Sequence, residues 1–341
     1  MVHARTSAWN MTVYDAHVNL LRTQTETMSA ALAGVDSISV LPFDNAFKKP
    51  DEFSERIARN QQLLLKEECH FDEVVDPAAG SYYIEVLTQS LADAAWRLFL
   101  DVEEQGGFIK IANAGIVQRA INETNKSRKN KVATRRQLLL GTNQYPNFTE
   151  KAGREREVGK EADAACCHTR ERAISLLSEG VEGAVMLDFS RGASEFEQLR
   201  FATEKCEKTP VAFMLTIGNL AMRLARSQFA SNFFACAGYE IIDNTGYETL
   251  EEGIQAAREK KADIIVLCSS DEAYETLAPE AYRLIDGKEI FVVAGAPACM
   301  DDLKAVGIEH FIHLKSNVLE SLQMFNNLLT VAPWCARSLQ N

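Results

Sequence analysis

The sequence predicts an α/β protein whose C-terminal part is a five-stranded parallel sheet wound on both faces by helices. Three observations carry this. Short strand-like segments recur at Val211–Ile217, Tyr239–Asp243, Ile264–Leu267, Ile290–Ala294 and Glu309–His313, the first, third and fourth of them apolar runs of the length of buried strands. Each is followed by a stretch with helical periodicity, and strands that alternate with helices at this pitch form parallel sheets covered on both faces. With five such units, the default strand order is the flavodoxin-like 2-1-3-4-5.

Composition sets the outer bounds. A chain of 341 residues is long enough for about two domains, since single cores stop growing near ~250 to 300 residues. At 46% hydrophobic and 25% charged residues it is an ordinary globular composition, and no apolar run approaches the ~20 residues of a membrane helix. The formal net charge of −12 opposes general affinity for nucleic acid. Cysteines 69, 166, 167, 206, 236, 268, 299 and 335 lack C-x-x-C spacing and read as reduced core thiols of a cytoplasmic protein. Residues 1–5 lack the apolar core of an export signal. The extended stretch at residues 3–9 has no run-up, so the start is expected to lie within a larger domain.

From the N-terminus, Thr12-Val13-Tyr14-Asp15 reads as a capping box opening a helix that runs to about Ala33 and ends at Gly34. Val35–Leu41 follows as a strand whose alternation puts Ser37 and Ser39 on one face and Ile38 and Val40 on the other. Two readings stay open for that face: a half-exposed strand, or a small-polar lining where barrel interiors are normally packed with branched apolar groups. Pro50-Asp51-Glu52 opens the next helix with Pro at its first position, and Phe53, Ile57, Leu64 and Leu65 are its expected buried stripe. Residues 76–81 form a turn. Ile84, Leu87, Leu91, Ala95, Leu98 and Val102 then recur at helical spacing up to Gly106-Gly107. A further helix is expected over residues 108–125 and a last short strand over 138–143.

Between these regions the signals weaken. Lys126–Arg136 holds six basic residues and no acid; a solvated helix end complementing the helix dipole is preferred to a phosphate site. Cys166-Cys167-His168 invites a metal, but tetrahedral zinc needs four ligands and no second cluster exists, so no metal is expected. His310 and His313, three apart on a strand, point to opposite faces. In the last region, helix starts are read at the possible boxes Thr245–Glu248 and Ser269–Glu272.

Ligands of open α/β sheets bind outside the carboxyl ends of the strands, at the topological switch point. Here that loop is Gly218-Asn219-Leu220-Ala221-Met222-Arg223-Leu224-Ala225, which carries no phosphate-cradling glycine series, no His and no carboxylate.

The phrases Thr6-Ser7-Ala8-Trp9-Asn10-Met11-Thr12, Phe53-Ser54-Glu55-Arg56-Ile57-Ala58-Arg59-Asn60 and Val75-Asp76-Pro77-Ala78-Ala79-Gly80-Ser81-Tyr82-Tyr83, with the five-stranded terminal region, resemble the C-terminal portion of methylmalonyl-CoA mutase subunits. The resemblance implies that residues 1–145 are the C-terminal part of a substrate-binding (β/α)8 barrel with about three strands. It makes residues 146–205 a linker with helical pieces, and residues 206–335 a cobalamin-binding-type domain. It also raises the weight on the small-polar lining: Arg5, Ser7, Ser37 and Ser39 become substrate-binding residues of a vestigial kind, with a coenzyme A thioester as the ligand.

Departures from the family pattern point to its small subunit. Catalytic chains carry Asp-x-His-x-x-Gly after the first strand of the terminal domain, and the matching positions here are Leu220, Met222 and Ala225. A thioether can ligate soft metals, but packing is the preferred reading of Met222. The family's Ser-x-Leu is Ser269-Ser270-Asp271, a paired glycine is Gly295-Ala296, and Arg5 stands where catalytic chains commonly have Gln. The resemblance therefore implies a small, non-catalytic partner of a large catalytic subunit in a heterodimer. The cofactor, adenosylcobalamin, would sit on the partner, with none on this chain and no nucleic-acid or membrane role. Two other readings remain open: a catalytic mutase chain with an aberrant cobalamin loop, and a free-standing flavodoxin-like regulatory or ligand-binding protein.

Overall fold

The computed structural model describes residues 1–152, 185 and 187–331. The chain divides into two compact units, residues 1–130 with 153–192 and residues 131–152 with 193–341. Among the described residues, no helix is long and apolar enough to cross a membrane. Cys166-Cys167-His168 lies outside them.

In the first unit, β1 (His3–Arg5) and β2 (Ser37–Ser39) pair in parallel with His3 opposite Ser37 and Arg5 opposite Ser39. These are the only strands described in that unit, so a barrel fragment is not established by it. Between them lies α1 (Val18–Leu32). Its expected capping box is absent: the Thr12 hydroxyl donates to the Tyr14 carbonyl and the Thr12 amide to Asn19 Oδ1, so the helix begins only at Val18. The buried face of α1 is polar, with Asn19, Thr23 and Thr27 all at 1% exposure or less. The next helix, α2 (Glu52–Glu67), starts from an Asp51 and Ser54 capping box, which places Pro50 before the cap instead of at the first helical position. Its buried residues are Ser54, Ala58 and Leu65. Phe53 and Leu64 are exposed, because Gln61 turns the Ala58 and Leu65 face inward by donating to the Leu20 carbonyl of α1.

The predicted helix at 82–104 forms as α3 (Tyr82–Glu104), yet it buries no residue. The single helix expected over 108–125 is two, α4 (Phe108–Asn113) and α5 (Ile116–Ala133), broken at Gly115 with φ +73°. The basic run is not a wholly solvated end. Arg128 lies 3.6 Å from the Trp9 ring centroid, and Lys129 pairs with Asp188.

In the second unit the strand expected at 138–143 is a loop. Asn143 is fully buried, accepts the Leu139 amide (2.7 Å) and donates to the Val132 and Gln137 carbonyls, so the local backbone groups bond to a side chain instead of a ladder. Arg135 donates to the Asn143 carbonyl (2.6 Å). Helix α6 (Ser194–Glu204) is followed by β3 (Val211–Thr216), α7 (Leu220–Ala235), β4 (Glu240–Ile242), α8 (Leu250–Glu259), β5 (Ile264–Cys268), α9 (Tyr274–Ile285), β6 (Ile290–Ala294), α10 (Met300–Ala305), β7 (His310–Ile312) and α11 (Val318–Leu328). The sheet is parallel throughout, in the order β4-β3-β5-β6-β7, the predicted 2-1-3-4-5.

Period two divides this core into layers. Val211, Phe213, Leu215, Ile265, Leu267 and Val293 form one cluster with α8 and α9 residues such as Ile254, Ala257 and Ala278. The alternate residues face the layer holding α7 and α11, where Phe234 meets Tyr239 and Phe325. Two expected helix starts move for stated reasons. The Tyr247 amide still bonds to the Thr216 carbonyl as a strand would, so α8 is capped by Thr249 instead of Thr245. The Ser269 amide bonds to the Tyr274 hydroxyl, so α9 begins at Tyr274 with no side-chain cap.

Candidate functional site

Two places have to be weighed, one in each unit. On the β1 and β2 pair, the register puts His3, Arg5, Ser37 and Ser39 on one face, and all four are exposed. His3 is the member that sequence reasoning passed over. Its Nδ1 lies 2.8 Å from the Ser37 hydroxyl and its Nε2 3.3 Å from that of Ser39, so both hydroxyls already have a ring nitrogen as partner. The signal was available: His3 and Arg5, two apart on a strand, must share a face. Ser7 is elsewhere, beyond the strand, with its amide bonded to Glu26 Oε2 (2.7 Å). Thus Arg5, Ser37 and Ser39 are brought together and Ser7 is not.

The second place is the carboxyl edge of the five-stranded sheet. β3 ends at Thr216, and α7 starts at Leu220 with the Asn219 side chain accepting the Met222 amide (3.2 Å). Leu220 and Leu224 are 58% and 45% exposed and Met222 is 37% exposed, so Met222 does not pack into the core as the sequence reading preferred. Ala225 is exposed as well.

Beside these apolar groups, two arginines of α7 bridge to the neighbouring loops. Arg223 donates to the Gly218 carbonyl (3.2 Å) and the Thr245 carbonyl (2.8 Å), spanning the loops after β3 and β4. Gly246 permits this: its φ is +116°, and a Cβ there would lie 2.4 Å from the Arg223 guanidinium carbon. One turn later on the same helix face, Arg226 pairs with Asp271 at 2.8 Å, in the loop after β5. The Tyr274 hydroxyl donates to the Ala294 carbonyl (2.7 Å) and accepts the Ser269 amide (3.0 Å). Asn244 accepts from the Thr216 hydroxyl and donates to the Met214 carbonyl, each at 2.5 Å, and the Ser227 hydroxyl donates to Asp243 (2.5 Å). Most polar groups of these loops are engaged with one another, but Arg223 Nε and Ser269 Oγ are buried without a hydrogen-bond partner.

Titration behaviour agrees with a packed edge. Burial pushes the Tyr274 phenol and the Cys268 thiol up from their ordinary values, which leaves both protonated and inert near neutrality. His310 on β7 is held down by burial and stacks edge-on against Phe325. No group of three or more His, Cys, Asp and Glu among the described residues could hold a metal ion. Cobalt ligation of the family kind needs an imidazole oriented by a second group. The start of α7 offers an isobutyl group, a thioether and a methyl at the three positions concerned, so the residues present do not fit that ligand set. Sequence reasoning marked Asp271 as a departure but missed its partner Arg226 and the role of Arg223.

A family model described as Methylmalonyl-CoA mutase matches residues 1–178. The methylmalonyl-CoA mutase small subunit of Porphyromonas gingivalis is 62% identical over 326 residues, 95% of this chain and 50% of the relative. That of Streptomyces virginiae is 33% identical over 287 residues, 83% of this chain and 43% of the relative. The methylmalonyl-CoA mutase of Rhizobium meliloti is 29% identical over 354 residues, 86% of this chain and 50% of the relative. The chain thus spans about half the length of the curated relatives it matches.

Proposed function

The chain belongs to the methylmalonyl-CoA mutase family, and from that premise we propose that it serves as the small-subunit type of chain, structural and non-catalytic, in a two-chain adenosylcobalamin-dependent mutase. The assembly would interconvert methylmalonyl-CoA and succinyl-CoA, with the cofactor and the catalytic residues on a large partner subunit. The observation that carries this reading is the 62% identity to a chain named small subunit over 95% of the present one. The relative from Rhizobium meliloti, named methylmalonyl-CoA mutase with no subunit designation, matches at 29%.

The crevice supports the same reading. A cobalamin nucleotide tail needs an open slot along the carboxyl edge, whereas here the Arg226–Asp271 pair and the Arg223 bridge tie three successive loops together. On the first unit, His3 engages Ser37 and Ser39. A coenzyme A thioester drawn along that face would have to displace the imidazole, which agrees with a vestigial substrate role for Arg5, Ser37 and Ser39.

The test is co-expression with a large mutase subunit of the same family. Copurification of the two chains, with mutase activity that this chain lacks when alone, is the expected result. Activity of the lone chain with added adenosylcobalamin would favour a catalytic chain with an altered loop. A monomer indifferent to the large subunit would favour a free-standing binding domain.

A further inference from the structure

Between the short 3-10 turn Ala8–Asn10, the middle of α5 and residues 187–191 of the first unit lies a cavity of about 280 Å³. Small-molecule sites run from ~300 to 1,000 Å³, so this one suits a ligand at the small end of that range. Its walls are tied in place. The Gly192 amide donates to the Trp9 carbonyl (3.0 Å) and Arg191 donates to the Met11 carbonyl (2.8 Å). Asn122 accepts the Asp188 amide (3.0 Å), Asn125 donates to the Asp188 carbonyl (2.9 Å), and Lys129 pairs with the Asp188 carboxylate. Residues 187–192 are thus stapled to α5 on one side and to the turn on the other, and a site with fixed walls costs little ordering to occupy.

Trp9, Ile121, Leu187 and Phe189 supply the apolar part of the lining. One face of the Trp9 ring is covered by the Arg128 guanidinium, 3.6 Å from its centroid. The benzo edge abuts Gly192, where a Cβ would lie 2.8 Å from Cη2. What the ring can present to the cavity is its other face and its pyrrole edge. That edge carries the Nε1–H, which is buried and has no hydrogen-bond partner among the described residues. A buried donor is expensive to leave unpaired, so a ligand that brings an acceptor gains more here than at an exposed donor. Charge decides the kind of acceptor. Asp188 is the one carboxylate among the lining residues, and its oxygens are already taken by Lys129 and by the Ser190 amide and hydroxyl. Glu26, which reaches the same turn, is likewise taken up by the Ser7 amide and the Asn10 side chain. Arg191 in the wall and Arg128 on the Trp9 ring add positive charge, and a hydrogen bond to an ionised acceptor is roughly twice as strong as a neutral one.

We propose that this cavity is a binding site for a small carboxylic acid with an apolar body, whose carboxylate accepts the Trp9 indole N–H while the body lies between the indole face, Ile121 and Leu187. Phe189, 57% exposed, forms the lip. A ligand without a charge, or one without an apolar part, makes only half of these contacts. The inference uses neither family membership nor the small-subunit role, so it stands or falls by itself.

The test follows the Trp9 indole N–H directly. The full chain has three tryptophans, so its nitrogen-15 spectrum shows three indole signals, and the one lost in Trp9→Phe belongs to Trp9. Sodium benzoate is the probe, with benzamide, acetate and sodium chloride compared at equal ionic strength. The expected result is a saturable downfield shift of the Trp9 indole proton with benzoate, the other two indole signals staying in place. Benzamide should bind ~10-fold or more weakly than benzoate, the ratio that a charge-assisted hydrogen bond supplies, and acetate more weakly than either. Ala8→Phe, at an exposed position of the lining, should abolish the benzoate shift while keeping the circular dichroism and the Trp9 signal of the unliganded chain. Should that variant not fold, the ranking of benzoate, benzamide and acetate decides alone. Four results would overturn the proposal: no saturable shift at Trp9; a shift that sodium chloride or acetate reproduces; benzamide binding as tightly as benzoate; or an undiminished benzoate shift in folded Ala8→Phe.

Discussion

Replacing Tyr274 by Phe tests whether the carboxyl edge is held shut by its own hydrogen bonds. The Tyr274 hydroxyl donates to Ala294 O at 2.7 Å and accepts the Ser269 amide at 3.0 Å, and Tyr274, Ser269 and Ala294 are all 0% exposed. Phe keeps the ring's shape and removes only the oxygen, so no water-sized space opens and both backbone groups lose their partner. A buried group left unsatisfied costs ~1 to 3 kcal/mol; with two such groups partly relaxing, we expect a loss of about 2 to 4 kcal/mol. For a unit of this size that is a fall in Tm of roughly 5 to 12 °C. Urea unfolding followed by far-ultraviolet circular dichroism measures the free energy, and hydrogen exchange at the Ser269 amide reports the site. A loss below ~0.5 kcal/mol with Ser269 still protected would refute the reasoning, since it would mean the two backbone groups find other partners.

Three further outcomes follow from the same structure. Gly253→Ala in α8 should destabilise although Ala is the better helix former, because its Cβ would lie 2.2 Å from Leu215 Cδ1 in a fully buried layer. Overpacking at ~1 to 3 kcal/mol outweighs a propensity gain of ~1 kcal/mol, and a stabilised variant in a thermal melt would contradict it. The second outcome is alkaline sensitivity. Burial raises Tyr239, Tyr274 and Cys268, so each contributes stability that is fully present below its unfolded value, about 8.5 for Cys and 10 for Tyr, and is lost as pH rises further. Urea midpoints should be flat from pH 7 to 8 and fall above pH 9, whereas a flat profile to pH 11 would contradict this. Finally, Leu220→Asp/Met222→His/Ala225→Gly should cost only ~1 to 2 kcal/mol: all three positions are exposed, surface changes are usually within ~0.5 kcal/mol each, and Ala225→Gly inside α7 adds the ~1 kcal/mol of lost helix propensity. We expect these three changes to be the least needed for any spectral response to adenosylcobalamin; a response from Met222→His alone would be against it.

The second unit was legible because its central strands β3 and β5 are buried on both faces. Residues 264–268 are all 0% exposed, and such strands read as continuous apolar runs. The chain order of five βα units then restricts the topology to few choices. Helix starts were less legible: Thr12, Thr245 and Ser269 each begin a sequence that resembles a capping box, but tertiary hydrogen bonds claim the groups that a cap would use. The edge of the crevice was legible by position and not by content. Leu220 and Met222 could be placed at the start of α7 from the sequence, but the bridges from Arg223 and Arg226 join residues far apart in the chain, and no local pattern announces them. The first unit was legible as helices but not as packing. The stripe of α3 predicts a buried face that the described residues do not provide, and α1 turns a polar face inward, against the usual amphipathic rule.

The measurement that bears most directly on the proposed role is a spectrophotometric titration of the purified chain with adenosylcobalamin. The account predicts that the cofactor's visible spectrum stays unchanged up to a large excess of protein, because the start of α7 supplies no imidazole and Arg226 and Asp271 occupy the crevice with each other. Micromolar binding by the unmodified chain, with a spectral shift showing displacement of the cofactor's lower ligand, would contradict it and return the catalytic reading to first place.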